Sequence, residues 1–384
     1  MQYRIIQFVK GIDIGGQNGG SENFGINLSL ALVAKGWEVT LIYFQQHHTE
    51  TEFAIASTLT ANRIKIIVIK NLSIINLIYN LQRVERECID QNNVCIIHSH
   101  FQIGNLIALL LKLRNPKTII LRTAHITKEW GSTLVARILN NVFTQWVFPI
   151  GFDAQVAVSN TILKQISNYP GTKFSQRKPV FIPNGIPDHF FQESQKTDIA
   201  LHNPCEKEII IGSVGRLISR KNYEILLLAF PEILEKYPGA KILLVGDGDR
   251  RKHLEHMAEK LKFKEKIYFA GQQQDILKWL FKMHLFVLPS TAEGLPTVIL
   301  EAWNCGVPVI ASDIPEVREL IEPPRTGWLF DPTNSKQLAN IIIDILDNYD
   351  NTSSVINNAF HKLKDYSFSK ISQQYSSLYF NLSE

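Results

Sequence analysis

Cysteine is scarce in this chain: Cys88, Cys95, Cys205 and Cys305 are scattered over 384 residues. No Cys-x-x-Cys pair occurs, which argues against a zinc site or a thioredoxin-like centre. Cys88 and Cys95 fall in helix- or strand-like runs and read as small buried hydrophobes of a reducing compartment. Long apolar runs are missing too, since no stretch reaches the roughly 18 residues that suggest a membrane span. Charge of one sign is nearly balanced. Forty Lys and Arg against 36 Asp and Glu leave +4, far from the balance of a dedicated nucleic-acid binder, so no nucleic-acid partner is expected. No low-complexity tract or fixed-period repeat is visible. The chain enters the strand-like run Tyr3–Val9 without a signal segment, and a cytoplasmic location is the expectation.

What is present is a regular alternation. Apolar residues make up 45% and charged residues 20%, enough for a sizeable core, and the length suggests two domains. Strand-like runs at Arg4–Val9, Glu38–Phe44, Ile64–Ile69, Val94–His98, Thr118–Thr123, Gln155–Ser159 and Val180–Pro183 are interleaved with helical patterns such as Glu22–Lys35, Ile74–Gln91 and Ser132–Phe148. Such alternation means βαβ units and a parallel sheet. We read an α/β Rossmann-like domain over 1–185 and a polar linker over 186–207. A second Rossmann-like domain spans 208–365, with a terminal helical segment over 366–384. Two such domains in tandem predict a cleft between them, where a ligand is expected.

Chemistry-bearing residues collect at strand ends, where open parallel sheets bind ligands. Gly15-Gly16-Gln17-Asn18-Gly19-Gly20-Ser21-Glu22 lies between the first strand and first helix. Glycines there let backbone N–H groups approach an anion. Gln17 breaks the dinucleotide fingerprint and Ser21 replaces the lysine of a Walker loop. Gly215-Arg216-Leu217-Ile218-Ser219-Arg220-Lys221 follows the first strand of the second half, and its cations suit a diphosphate. Asp247 and Asp249 form a DxD, but the flanking Gly246 and Gly248 favour a tight turn with Asp249 as a helix N-cap. Glu293 and Glu301, in Glu293-Gly294-Leu295-Pro296 and the helical run after it, could form an acid/base pair at the crevice. Among His98, His100 and His125, all at strand ends, His125 is the favoured functional residue.

In this order and spacing, Gly215-Arg216, Arg220-Lys221, Val245-Gly246-Asp247-Gly248, Glu293-Gly294-x-Pro296-x₄-Glu301-Ala302 and Gly306-x-Pro308-Val309-Ile310-Ala311-Ser312 resemble the retaining GT-B glycosyltransferases of family 4. Gly19-Gly20-Ser21-Glu22, Val158-Ser159 and Ile182-Pro183-Asn184-Gly185 fit the same pattern. The resemblance implies a GT-B fold and transfer of a hexosyl group from a nucleotide-diphosphate sugar to an acceptor hydroxyl, with retention. Glu301 would then accept hydrogen bonds from both ribose hydroxyls. Arg216 and Lys221 would hold the diphosphate. Glu293 and the N–H groups of Gly294 and Leu295 would bind the transferred sugar, with His125 near it. Gly19 and Gly20 would present backbone N–H groups to the phosphates, and the terminal helix over 368–382 would cross back to the first domain. No metal and no cofactor are expected. UDP, the commonest nucleotide of the family, is the expected donor base.

The acceptor partner would be a sugar, a lipid-linked glycan or a small alcohol. Two competing readings are a GT-B nucleotide-sugar 2-epimerase and a non-catalytic nucleotide-sugar-binding member. Peripheral membrane contact stays open. The apolar stripe Leu134-Val135-x₂-Ile138-Leu139-x₂-Val142-Phe143-x₂-Trp146-Val147 is expected to be core. The basic stretch Pro170–Lys178 could face anionic lipid or cap the acceptor site.

Overall fold

The computed structural model describes residues 3–13, 19–70, 74–89, 93–126, 138, 140–175, 177–191 and 208–384. The chain divides into two compact units: unit 1 is Met1–Gly185 with Phe368–Glu384, and unit 2 is Ile186–Ser367.

Unit 1 is a seven-stranded parallel sheet in the order β3-β2-β1-β4-β5-β6-β7. Its strands are β1 (Tyr3–Gly11), β2 (Glu38–Gln45), β3 (Lys65–Val68), β4 (Val94–Ser99), β5 (Ile119–Ala124), β6 (Ala154–Ala157) and β7 (Val180–Phe181). Helices Gly20–Ala34, Glu50–Ala61, Ile74–Cys88, Gln102–Arg114 and Asn160–Ser167 supply crossovers. The central strand shows why the run Ile5-Ile6-Gln7-Phe8-Val9 is nearly continuous in apolar character. Side chains alternate across a strand, so Ile5 and Val9 enter one core cluster while Ile6 and Phe8 enter the other. A strand buried on both faces cannot spare a polar face. The helix Phe368–Ser383 adds Phe368, Ile371, Tyr375 and Tyr379 to the first cluster, beside Phe24 and Trp37. Their three- and four-residue spacing makes one apolar stripe, worth about 1.5–3 kcal/mol for each fully buried large side chain.

Unit 2 is a six-stranded parallel sheet in the order β10-β9-β8-β11-β12-β13. Here β8 is Ile209–Val214, β9 Ala240–Val245, β10 Ile267–Gly271, β11 Leu285–Leu288, β12 Val309–Ser312 and β13 Trp328–Phe330. Its core joins Ile209, Ile211, Ile242, Leu244, Leu285 and Val287 from the sheet to Phe230, Leu338 and Ile342 from the helices. Both units are the Rossmann-like α/β sheets expected from the alternation.

Three expectations need correction. Residues 186–191 are not a free linker: the Ile186 N–H donates to the Tyr366 carbonyl at 2.9 Å, and Phe190's carbonyl accepts from Asn304 Nδ2 at 3.0 Å. Both contacts tie the segment to unit 2, while 192–207 lie outside the described residues. The apolar stripe is only partly core. Asn140–Val147 winds as a π-helix. Phe143 and Val147 pack on the second cluster of unit 1, whereas Ile138, Val142 and Trp146 are 55%, 47% and 45% exposed. The stripe is two adjacent rows of apolar residues, and one row meets the sheet. Leu134, Val135 and Leu139, with most of the proposed start of this helix, lie outside the described residues. Asp249 is not an N-cap either, because the next helix begins at Arg251 after Arg250, with no side-chain cap.

Candidate functional site

The sheet of unit 2 reverses its order between β8 and β11. At such a switch point the loops leaving two neighbouring strands diverge and open a crevice. These two loops carry the cations and carboxylates singled out in the sequence. After β8 the chain makes a 3₁₀ turn at Ser219–Lys221, then Asn222 adopts a left-handed conformation, φ 51°, before the helix Tyr223–Lys236. Asparagine is among the few side chains that tolerate that region, and its Nδ2 donates to the Pro332 carbonyl at 2.9 Å. The β11 loop is fastened to this turn, since the Thr291 N–H donates to the Arg220 carbonyl at 2.9 Å.

The outcome is a buried ion pair. Lys221 Nζ donates to Glu293 Oε1 at 2.6 Å, with the side chains only 12% and 8% exposed. Burial alone would raise the Glu293 pKa; the Lys221 ammonium and its hydrogen bond overcome this and hold it below the usual carboxylate value. Among the described residues this contact uses one of the three ammonium donors. Glu301 sits one turn into the helix Thr297–Asn304. Burial pushes its carboxyl up to about 7, with Lys221 pulling the other way. Gly294 and Leu295 are buried, and among the described residues their N–H groups take no backbone partner. Arg216 is exposed at the start of the first loop.

The Asp247 turn packs directly behind. Leu217 N–H donates to the Asp247 carbonyl at 2.9 Å, and Gly215 N–H to the Val245 carbonyl at 2.9 Å. Gly246, at φ 133°, lies so close that a Cβ there would stand 2.1 Å from the Gly215 oxygen. The Asp247 carboxylate accepts from the Gly248 N–H at 2.7 Å and from Arg251 at 3.0 Å. These contacts give the DxD a structural job in shaping the cation loop.

In unit 1 the middle of β1 and the ends of β4 and β5 bring together Gln7, His98, His100 and His125. His100 Nδ1 and His125 Nε2 are 3.2 Å apart. Burial lowers all three histidines, His125 to about 3. Gly19 precedes the first helix, and its N–H donates to Glu22 Oε2 at 2.9 Å. Gly20 has open space where a side chain would stand. Gly15, Gly16, Gln17 and Asn18 lie outside the described residues.

Residues 18–190 match the family described as Glycosyltransferase Family 4, and residues 194–362 match Glycosyl transferases group 1. The chain belongs to the GT-B glycosyltransferases. Among curated relatives of this GT-B chain, the Vi polysaccharide biosynthesis protein VipC/TviE of Salmonella typhi is 33% identical over 157 residues, covering 41% of this chain and 25% of that protein. The phosphatidylinositol N-acetylglucosaminyltransferase gpi3 subunit of Schizosaccharomyces pombe is 23% identical over 374 residues, 94% of this chain and 75% of that protein. The chain spans between 25% and 57% of the length of the first curated relatives it matches. Its fold is similar to that of Anabaena Alr3699/HepE in complex with UDP and glucose, with TM-score 0.78 and 20% identity over 98% of this chain and 99% of that one.

The Lys221, Glu293 and Glu301 loops are those singled out in the sequence; the packing around the histidines is not legible there. Thr123, Tyr375 and Tyr379 complete that cluster, with Tyr379 OH 2.7 Å from His98 Nδ1 and Thr123 Oγ1 2.7 Å from His98 Nε2. The signal was present as His98-x-His100 at and just past the end of β4 and Tyr375-x₃-Tyr379 on one helix face, but nothing local joins them.

Proposed function

We propose that the chain transfers a hexosyl group from a nucleotide-diphosphate sugar to an acceptor hydroxyl with retention of configuration, in polysaccharide, glycolipid or small-glycoside synthesis. The observation that carries this reading is the buried Lys221–Glu293 pair at the switch point of unit 2, with Glu301 behind it. Glu301 accepts from the ribose hydroxyls, and Lys221 with Arg216 holds the diphosphate. Glu293 and the N–H groups of Gly294 and Leu295 hold the sugar. The backbone at Gly19 and Gly20 serves the phosphates, a phosphate competing with Glu22 for the Gly19 N–H, and His125 serves the sugar.

The acceptor oxygen attacks C1 from the face that the leaving group departs. The C1–O bond to the β-phosphate breaks, and the acceptor proton passes to the departing phosphate oxygen. Negative charge grows on that oxygen, so a fixed cation stabilises the transition state more than the ground state. No metal enters this scheme, and UDP is the first base to try. A thermal-shift screen of nucleotide sugars tests it, because a ligand bound to the folded state raises the melting temperature by mass action. The best donor, offered with sugar and lipid-linked acceptors, should yield a glycoside and a free nucleoside diphosphate. Epimerisation at C2 without an acceptor, or binding without turnover, would favour the alternative readings.

Peripheral membrane contact belongs to the same proposal. Ile138, Val142, Trp146, Ile150 and Phe174 are exposed, with Lys173 adjacent in sequence to Phe174. Co-sedimentation with anionic vesicles would support it, and no binding at low salt would count against it.

A further inference from the structure

The histidine cluster of unit 1 is a hydrogen-bonded chain whose direction can be worked out atom by atom. Gln7 Nε2 donates to the Tyr379 hydroxyl at 3.4 Å, and Gln7 Oε1 lies 2.8 Å from His100 Nε2. An amide oxygen only accepts, so His100 Nε2 carries the proton. Burial keeps His100 neutral, which leaves its Nδ1 bare. The 3.2 Å contact must then be a donation from His125 Nε2 to His100 Nδ1. His125 is neutral as well, so the lone pair sits on its Nδ1. That atom is shielded from water and has no hydrogen-bond partner among the described residues.

A second arm fixes the origin of the chain. The Tyr379 hydroxyl accepts from Gln7, so its own proton goes to His98 Nδ1 at 2.7 Å. His98 Nε2 donates to Thr123 Oγ1 at 2.7 Å, and the Thr123 and Tyr375 hydroxyls lie 3.0 Å apart. Turning the Gln7 amide over would reverse every proton in both arms and place a proton on His125 Nδ1. Both arrangements keep the same bonds and differ in what is left at His125 Nδ1: a bare nitrogen in the first, an N–H without a partner among the described residues in the second, and an orphaned buried N–H is the costlier of the two.

We propose that Gln7 and Tyr379 are positioning residues that hold His125 as its Nε2–H tautomer, so that its bare Nδ1 accepts a hydrogen bond from a hydroxyl of the sugar substrate. The substrate half of this rests on the reading of His125 as the sugar-side residue; the tautomer half does not. A buried acceptor left unpaired in the free protein is a group prepared for a donor that arrives later.

Nitrogen-15 NMR of the full chain labelled at histidine tests it, with His125 assigned by the signal lost in His125→Ala. The expected wild-type spectrum near pH 7 shows a protonated Nε2 and a bare Nδ1. Gln7→Met keeps the shape and removes the amide, and Tyr379→Phe removes only the hydroxyl. Both should turn the fixed pattern into averaged tautomers, while cooperative melting shows that the fold survives. A proton on Nδ1 in the wild type overturns the assignment. An unchanged His125 pattern in whichever variants fold overturns the positioning role. UDP-glucose, UDP-N-acetylglucosamine and GDP-mannose are then titrated, and any that raises the melting temperature should shift the Nδ1 signal. A nucleotide sugar that binds yet leaves Nδ1 unmoved removes the substrate half, and a panel with no binder removes the donor reading itself, each leaving the tautomer result standing.

Discussion

Donor binding should strengthen as pH rises from 6 to 8, and Glu301 should be the cause. Its carboxyl is pushed up to about 7 by burial. The sign follows from linkage: a group whose folded pKa is raised favours the folded state fully below its unfolded value and loses that contribution as pH climbs through the folded one. Between the ordinary value of 4.5 and about 7, unliganded unit 2 therefore loses on the order of 3 kcal/mol at this residue. Ribose hydroxyls that donate to the carboxylate restore part of that loss, so the ligand selects the ionised form. If binding returns the pKa to its ordinary range, affinity at pH 6 should be about tenfold weaker than at pH 8. Both phosphates of a nucleotide sugar are fully ionised throughout, so the ligand adds no slope, and neutral His125 adds none. Calorimetric titration of the donor found by thermal shift, at several pH values and with buffer-ionisation corrections, reads this directly. Glu301→Gln should flatten the profile as well as weaken binding. A flat wild-type profile, or an equal slope in Glu301→Gln, would refute the assignment of Glu301 as ribose anchor.

Other outcomes follow from the same geometry. Lys221→Ala leaves the buried Glu293 carboxylate without its partner and should destabilise the protein by about 3–5 kcal/mol, read by denaturant melts. The double variant Lys221→Ala/Glu293→Gln should recover much of that stability while transfer stays slowed by about 10²–10³-fold, as for loss of one transition-state cation. Gly246→Ala, at φ 133° with a Cβ 2.1 Å from the Gly215 oxygen, should cost more than about 1 kcal/mol, whereas Gly20→Ala, with open space around it, should leave the melting temperature nearly unchanged. Transfer should survive EDTA; a loss restored by Mg²⁺ or Mn²⁺ would give Asp247 and Asp249 a metal role.

The sheets were legible because buried parallel strands write themselves as short apolar runs, such as Ile209–Val214 and Leu285–Leu288, spaced by helices. The unit 2 loops were legible because their residues lie close in sequence to the strand ends that position them. The Lys221–Glu293 contact itself was not, since 72 residues separate the partners and only the β8–β11 adjacency joins them. The histidine chain was further out of reach, with His98 and Tyr379 281 residues apart. Two local readings failed for physical reasons. Asp249 was read as a cap from the Gly-Asp-Gly-Asp pattern, but the Asp247 carboxylate bonds Gly248 and Arg251, and the helix starts after Arg250. The apolar stripe around Val142 was read as core because period alone cannot tell which of two neighbouring rows meets the sheet.

The measurement that tests the account most directly is proton NMR of the reaction between the best-binding nucleotide sugar and its acceptor. The account predicts release of the nucleoside diphosphate together with a glycoside whose anomeric configuration matches that of the donor. A product of inverted configuration, or a C2 epimer formed with no acceptor present, would contradict it.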